Sequence, residues 1–312
     1  MKAVFLDRGS FPDTISIELP TQISEVVEYQ NTQPEQVAER IQDADIVLTN
    51  KIVLNAGAIQ TTSNLKLVQV MATGINNVDS NACQEKGIAI QNVEGYSVNS
   101  VPEHTFSMLL ALRRNLVSYI QDVKAGKWST SEHFCFLDYP IKDLHDTNMV
   151  IIGGGSLGKR VGDIAKAFGM KVTFAERKGV KEIRTGYTGF ESALKVADVI
   201  SINCPLTEET KNLISDTEFA LMKPSALLLN ISRGGIVDEH ALLNAFKQQA
   251  ISGAAFDVAT QEPMPLEHPL HQLAEYPNFL LTPHIAWASH EAMETLVRIA
   301  AQKIATFVEA NK

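Results

Sequence analysis

One stretch near the middle of the chain restricts its fold more than any other. Met149-Val150-Ile151-Ile152 runs into Gly153-Gly154-Gly155-Ser156-Leu157-Gly158, an apolar strand meeting a GxGxxG turn, and residues 159–168 continue as a helical run. Strand, glycine turn and helix in that order make the phosphate-binding turn of a dinucleotide site. Gly153 permits the tight turn, Gly155 lets the backbone reach a pyrophosphate, and Gly158 lets the helix lie close on the strand. The helix start, through Ser156 and Leu157, offers N–H groups to the anion. About 150 residues precede the turn and must build something else.

The 312 residues are 45% hydrophobic, enough to bury a sizeable core and to divide into two domains. A formal charge of −9 and the lack of any basic block oppose a nucleic-acid partner. Cys83, Cys135 and Cys204 are odd in number, widely spaced and without a CxxC, which fits a reducing compartment and no metal site. The N-terminus reads as a strand without signal-peptide architecture, and no run of about 18 apolar residues could cross a membrane. A cytoplasmic protein with no membrane partner is therefore expected.

Short apolar strands at 3–6, 46–48, 67–71 and 88–91 alternate with amphipathic segments at 36–42 and 79–85, the pattern of a parallel sheet. From 101 to 124, Phe106, Leu109, Leu110, Leu112, Leu116, Val117 and Ile120 recur at helical spacing. One long helix is predicted there, with Pro102 early in it and its end near Gly126. The aromatic, irregular residues 127–145 read as a connection between domains. After the glycine turn, strands at 171–175, 199–203, 227–231, 253–256 and 279–281 alternate with helices, a doubly wound plan that binds ligands at the strands' carboxyl ends. An amphipathic helix over 289–311 closes the chain.

An acidic residue about 20 positions past such a glycine turn accepts the adenosine ribose hydroxyls. Here it is Glu176, which favours NAD, although Arg177 and Lys178 follow at once and could pair with the 2′-phosphate of NADP if Glu176 swung away. Three further residues each follow a strand where a parallel sheet would present them to a cofactor. Arg233 lies in Asn230-Ile231-Ser232-Arg233-Gly234-Gly235, and its planar fork suits a carboxylate next to a carbonyl. Glu262 precedes Pro263, and His284 follows Pro283. A carboxylate within about 4–6 Å of an imidazole can keep a proton available near neutrality, which would make the pair a general acid and its tuner. Each is also readable as an ordinary turn residue, and the three together carry the functional reading.

With these residues in place the chain resembles the D-isomer-specific 2-hydroxyacid dehydrogenase family over nearly its whole length, and within it the glycerate dehydrogenase, or hydroxypyruvate reductase, branch. The resemblance rests on Ala72-Thr73-Gly74-Ile75-Asn76-Asn77-Val78-Asp79, Asn92-Val93-Glu94-Gly95-Tyr96-Ser97, Pro102-Glu103-His104-Thr105, the glycine turn, Cys204-Pro205-Leu206-Thr207, Asn230 to Gly234, Asp257 to Pro263, and Pro283-His284. It implies an α/β fold of two doubly wound parallel-sheet domains. A Rossmann dinucleotide-binding domain, residues 101–287, would be inserted into a flavodoxin-like substrate domain built from 1–100 and 288–312.

The resemblance implies a role for each matching residue. Arg233 would bind the substrate carboxylate and carbonyl, His284 would donate and accept the proton, and Glu262 would be its partner. The backbone of Thr73, Gly74 and Ile75 would hold the substrate carboxylate. Thr105, Cys204, Pro205, Ile231, Arg233, Asp257 and His284 would join the glycine turn, Glu176 and Arg177 around the cofactor, with Cys204 as a wall and Asp257 facing the nicotinamide. Lys51, Asn77, Tyr96, Phe134 and Trp287 could line the substrate pocket, although packing explains each as well.

The expected reaction is hydride transfer from a nicotinamide cofactor to a small 2-oxo acid, giving a D-2-hydroxy acid in a cleft between domains. Hydroxypyruvate is the first substrate expected, with glyoxylate, another short 2-oxo acid or phosphite as alternatives. A homodimer is also implied. Transcriptional corepressors resemble this family too, so a dinucleotide-sensing interaction protein is the reading from a different class.

Overall fold

The computed structural model describes residues 1–311. Its contacts divide the chain into two units: Met1–Ser97 with Ala288–Lys312, and Val98–Trp287, which is inserted between those two segments.

The first unit runs β1 (Lys2–Phe5), β2 (Glu25–Glu28), α1 (Val37–Ile41), β3 (Ile46–Thr49), α2 (Ala56–Gln60), β4 (Leu67–Val70), α3 (Ser80–Glu85) and β5 (Ala89–Gln91). These strands form a parallel sheet in the order β2-β1-β3-β4-β5, the flavodoxin-like arrangement. β3 and β4 are buried at every position, as central strands covered on both faces must be. The sequence reading missed β2, an edge strand of Glu-Val-Val-Glu that is mostly exposed and so shows no apolar run. It also missed α2, whose Asn55 cap accepts the Ala58 N–H. Val4, Leu6, Ile41, Val47, Ile59, Val68 and Val70 are among the residues of this unit's core. The C-terminal helix (His290–Ala310) starts at a Ser289 cap, and its Lys303 Nζ donates to the Asn92 carbonyl at 2.8 Å.

The second unit opens with α4 (Ser100–Arg113) and α5 (Leu116–Lys124). It continues with β6 (Asn148–Ile152), α6 (Ser156–Ala167), β7 (Lys171–Ala175), β8 (Tyr187–Thr188), α7 (Phe190–Val196) and β9 (Val199–Ile202). Then come α8 (Asp216–Phe219), β10 (Leu227–Asn230), α9 (Glu239–Lys247), β11 (Gly253–Phe256), α10 (Pro269–Leu273) and β12 (Phe279–Leu281). The sheet order is β12-β11-β10-β9-β6-β7-β8, all parallel. The chain starts in the middle at β6, winds out to β8, then returns to β9 and winds the other way. The carboxyl ends of β6 and β9 therefore flank the switch point where such sheets bind ligands.

Alternate residues of β6 feed opposite faces of this sheet. Val150 and Ile152 join Ile200, Leu228 and Phe256 in one apolar layer, while Met149 and Ile151 join Val161, Leu229 and Ala255 in the other. The two units are the doubly wound α/β pair that the strand–helix alternation predicts.

The single helix expected over 101–124 is instead two. Asn115 has φ 47°, a left-handed conformation that a right-handed helix cannot pass through, and it separates α4 from α5. Its side chain donates to the Pro140 carbonyl at 2.7 Å, holding the turn. The apolar spacing runs on across the break, so periodicity alone does not show it.

Candidate active site

The glycine turn leaves β6 at the switch point, and its geometry fits a dinucleotide. Gly153 has φ +104°, and a Cβ there would sit 2.6 Å from the Asn203 backbone. A Cβ at Gly158 would strike the Gly153 carbonyl, whereas one at Gly155 would enter open space. Gly155 caps α6 without any side-chain hydrogen bond, so the first N–H groups of that helix remain for an anion. A cavity of about 550 Å³ opens above this turn, a size suited to a small-molecule cofactor. Its walls include Gly153, Gly155, Glu176, Arg177, Cys204 and Pro205. Burial pushes the Cys204 thiol up to about 11, so it stays protonated at neutral pH and serves as wall rather than nucleophile. Ile231 is buried in the layer beside β10.

Glu176, at the end of β7, does not offer a free carboxylate. It is 3% exposed, and Arg184 grips it with Nε on Oε2 and Nη2 on Oε1, both at 2.7 Å. The Arg177 and Arg184 N–H groups add bonds at 2.8 and 3.2 Å. Arg184 and these backbone donors hold the carboxyl at about 2, well below its ordinary 4.5. The ribose-diol acceptor expected from sequence therefore has its lone pairs already taken. Arg184 also stacks on Tyr187, its guanidinium carbon 3.9 Å from the ring centroid. Tyr187 in turn lays its hydroxyl against Gly154, where a Cβ would strike it.

Arg233, Glu262 and His284 follow β10, β11 and β12, three adjacent strands, all at their carboxyl ends. His284 Nδ1 lies 2.6 Å from Glu262 Oε2, and Glu262 Oε1 accepts the Ala259 N–H at 2.9 Å. With Nδ1 committed to the carboxylate, His284 Nε2 has no hydrogen-bond partner among the described residues. His284 has φ 55°, and Trp287 Nε1 donates to its carbonyl at 3.0 Å. Arg233 joins no ion pair among the described residues; Nη1 donates only to the Ser232 carbonyl at 2.8 Å. Its turn is pinned by Asn230 Nδ2 on the Arg233 carbonyl and by Ser232 Oγ on the Cys204 carbonyl. Gly234 lies so close to the Ala259 carbonyl that a Cβ would collide with it, which ties the Arg233 turn to the segment carrying Glu262.

Several expected residues sit differently. Thr105 is fully buried and donates its hydroxyl to the Val101 carbonyl of its own helix. Asp257 is 1% exposed; it accepts from Thr282 Oγ1 at 2.6 Å and from the Ile285 and Ala286 N–H groups at 2.9 and 2.8 Å. It braces the His284 loop rather than facing outward. His104 joins that brace through Thr282 at 3.0 Å, a role the sequence hid inside a matching motif. Phe134 is 90% exposed, and Asn77 donates to the Ile52 carbonyl. Lys51 gives its N–H to Asp7, and Tyr96 is half-buried. In the first unit, Thr73 is anchored by Asn92 and by its own bond to the Val93 carbonyl, while the Gly74 and Ile75 N–H groups donate to nothing among the described residues.

Sequence reading also missed a buried cluster beneath Glu262. Glu239 accepts from the Thr260 N–H and hydroxyl at 2.9 and 2.6 Å, and His268 Nε2 stands 3.0 Å from it. Nothing in the spacing of these residues signals that they meet.

Comparison with known proteins places this geometry. The model of the D-isomer specific 2-hydroxyacid dehydrogenase NAD binding domain matches residues 106–286. A Haemophilus influenzae protein described as a 2-hydroxyacid dehydrogenase is 44% identical over 99% of this chain and 98% of its own. Glycerate dehydrogenase of Methylorubrum extorquens is 41% identical over 98% and 96%. The crystal structure of Aquifex aeolicus D-lactate dehydrogenase with NAD and lactic acid superposes with a TM-score of 0.84 at 27% identity, covering 99% of this chain and 96% of that one.

Proposed function

The chain belongs to the D-isomer-specific 2-hydroxyacid dehydrogenase family, and from that premise we propose that it interconverts hydroxypyruvate and D-glycerate. It is an NAD(P)-dependent oxidoreductase of small 2-oxo and 2-hydroxy acids; the choice of hydroxypyruvate rests on its similarity to the Methylorubrum glycerate dehydrogenase. The observation that carries the chemistry is the 2.6 Å pairing of His284 Nδ1 with Glu262, which leaves Nε2 for substrate.

A bound nicotinamide supplies or accepts the hydride at the substrate's C2. Arg233, which joins no ion pair among the described residues, holds the substrate carboxylate and polarises the adjacent carbonyl. His284 Nε2 gives its proton to the oxygen as the hydride arrives at carbon, so one hydride and one proton convert C=O to CH–OH; oxidation reverses both. Glu262 fixes the ring's orientation and places a negative charge beside the imidazolium. The N–H groups of Gly74 and Ile75 are proposed as carboxylate ligands.

Reduction rates with hydroxypyruvate, glyoxylate and pyruvate test the substrate assignment, and equal or better kcat/KM with either of the last two overturns it. His284→Ala should cut kcat by roughly 10²- to 10⁴-fold while dinucleotide binding persists; unchanged turnover rejects His284 as the acid. A homodimer is proposed as well, because α5 exposes Leu116, Val117, Ile120 and Val123 by 39–49% along one face.

A further inference from the structure

We propose that Arg184 makes the adenosine end of the cofactor site a 2′-phosphate site, so that NADP(H) binds at least as well as NAD(H). This rests on the dinucleotide reading above and sharpens it. A carboxylate at the end of the second strand selects NAD in two ways. It accepts the ribose hydroxyls, and its charge repels a 2′-phosphate. Neither works here as Glu176 stands. Both oxygens are filled by Arg184 and by the two backbone N–H groups, and the guanidinium cancels the charge. Glu176 need not swing away for a phosphate to approach, because its partner already neutralises it.

What remains for a phosphate is guanidinium N–H groups that no carboxylate occupies. Arg177, Lys178 and Arg184 line the cavity against the carboxylates of Glu176 and Glu209. Lys178 Nζ pairs at 2.8 Å with Glu218. The Arg177 side chain is exposed and makes no hydrogen bond among the described residues, although Glu209 feels its charge. Arg184 uses Nε–H and one Nη2–H on Glu176, so three of the five guanidinium donors remain. Its side chain is 54% exposed, and one face is held flat by Tyr187. A fork fixed on one side by a carboxylate and on one face by a ring is oriented before a ligand arrives, which suits a phosphate. Tyr187 reaches from Arg184 to Gly154, so the same ring links this fork to the glycine turn.

Direct binding measured by calorimetry tests this without relying on turnover. NADPH should bind the native protein as tightly as NADH or tighter, and 2′,5′-ADP should displace either better than 5′-AMP. Arg184→Ala uncovers the Glu176 carboxylate, so NADPH affinity should fall roughly tenfold or more while NADH affinity holds or improves. That opposite movement is what a merely structural loss, weakening both, would not produce. Should Arg184→Ala fail to fold, Arg177→Ala, on an exposed side chain, should also lower NADPH affinity more than NADH affinity.

NADH binding the native protein roughly tenfold tighter than NADPH, or equal losses for both cofactors in the variants, overturns the proposal and leaves the dehydrogenase reading standing. Binding of neither dinucleotide overturns both.

Discussion

At the scale of single residues, the site depends on which hydrogen-bonding atoms are already spent. Glu262 uses Oε1 on the Ala259 N–H and Oε2 on His284, so one side chain both anchors its own loop and aims the imidazole. Glu262→Gln preserves the shape and removes the charge. We expect kcat to fall roughly 10²-fold with KM within about threefold of the native value. Steady-state kcat and KM of both proteins read this, and a change confined to KM would contradict it. Sequence placed Glu262 and His284 at the ends of strands and so anticipated their meeting. It could not show Arg184 on Glu176, since the partner lies eight positions on, across a loop with no period. Nor could it show that Asp257 is consumed by the N–H groups of Ile285 and Ala286, because such capture depends on how the chain turns after β12.

At the scale of elements, the strand–turn–helix unit is the part written most plainly in the chain, because backbone lies where a Cβ would stand at Gly153 and at Gly158. A methyl at Gly158 would meet the Gly153 carbonyl, which is backbone and cannot yield, whereas at Gly154 it would meet only the Tyr187 hydroxyl, the end of a side chain. Gly158→Ala should therefore destabilise by about 1–3 kcal/mol and abolish dinucleotide binding. Gly154→Ala should be milder, and Tyr187→Phe in the same chain should recover part of its loss. Thermal melts of the four proteins decide it; equal losses at the two glycines would refute the distinction. The break at Asn115 was not legible for the opposite reason. A single left-handed residue stops the hydrogen-bond ladder of α4 while leaving the apolar spacing of Leu109, Leu112, Leu116 and Ile120 nearly intact. β2 was invisible because an exposed edge strand has no face to bury.

For the molecule as a whole, the Arg184–Glu176 pair gives stability a defined dependence on pH. The folded carboxyl titrates at about 2 and the unfolded one at 4.5, so above pH 4.5 both are ionised and the contribution is fully present. As pH falls from 4.5 toward 2, the unfolded chain takes up a proton that the folded chain refuses, and the contribution disappears. The melting temperatures of the native protein and Glu176→Gln should differ most above pH 5 and converge toward pH 2; a difference that does not change with pH would show that ionisation of Glu176 contributes nothing to folding. Assembly is a second property of the whole. Ile120→Glu, in the middle of the exposed face of α5, should shift a dimer to monomers in light scattering, with turnover per chain as its accompanying measurement.

The insertion of residues 98–287 between the two segments of the first unit also sets an order of events during synthesis. All five strands of that unit's sheet leave the ribosome before the inserted unit, yet the helix His290–Ala310 that belongs with them follows it. The nascent chain thus carries the five strands without that helix, and without its Lys303 bond to Asn92, while the whole inserted unit is translated and folds. A pause, a nick or a chaperone acting in that interval would act on a unit begun before the inserted one and completed after it.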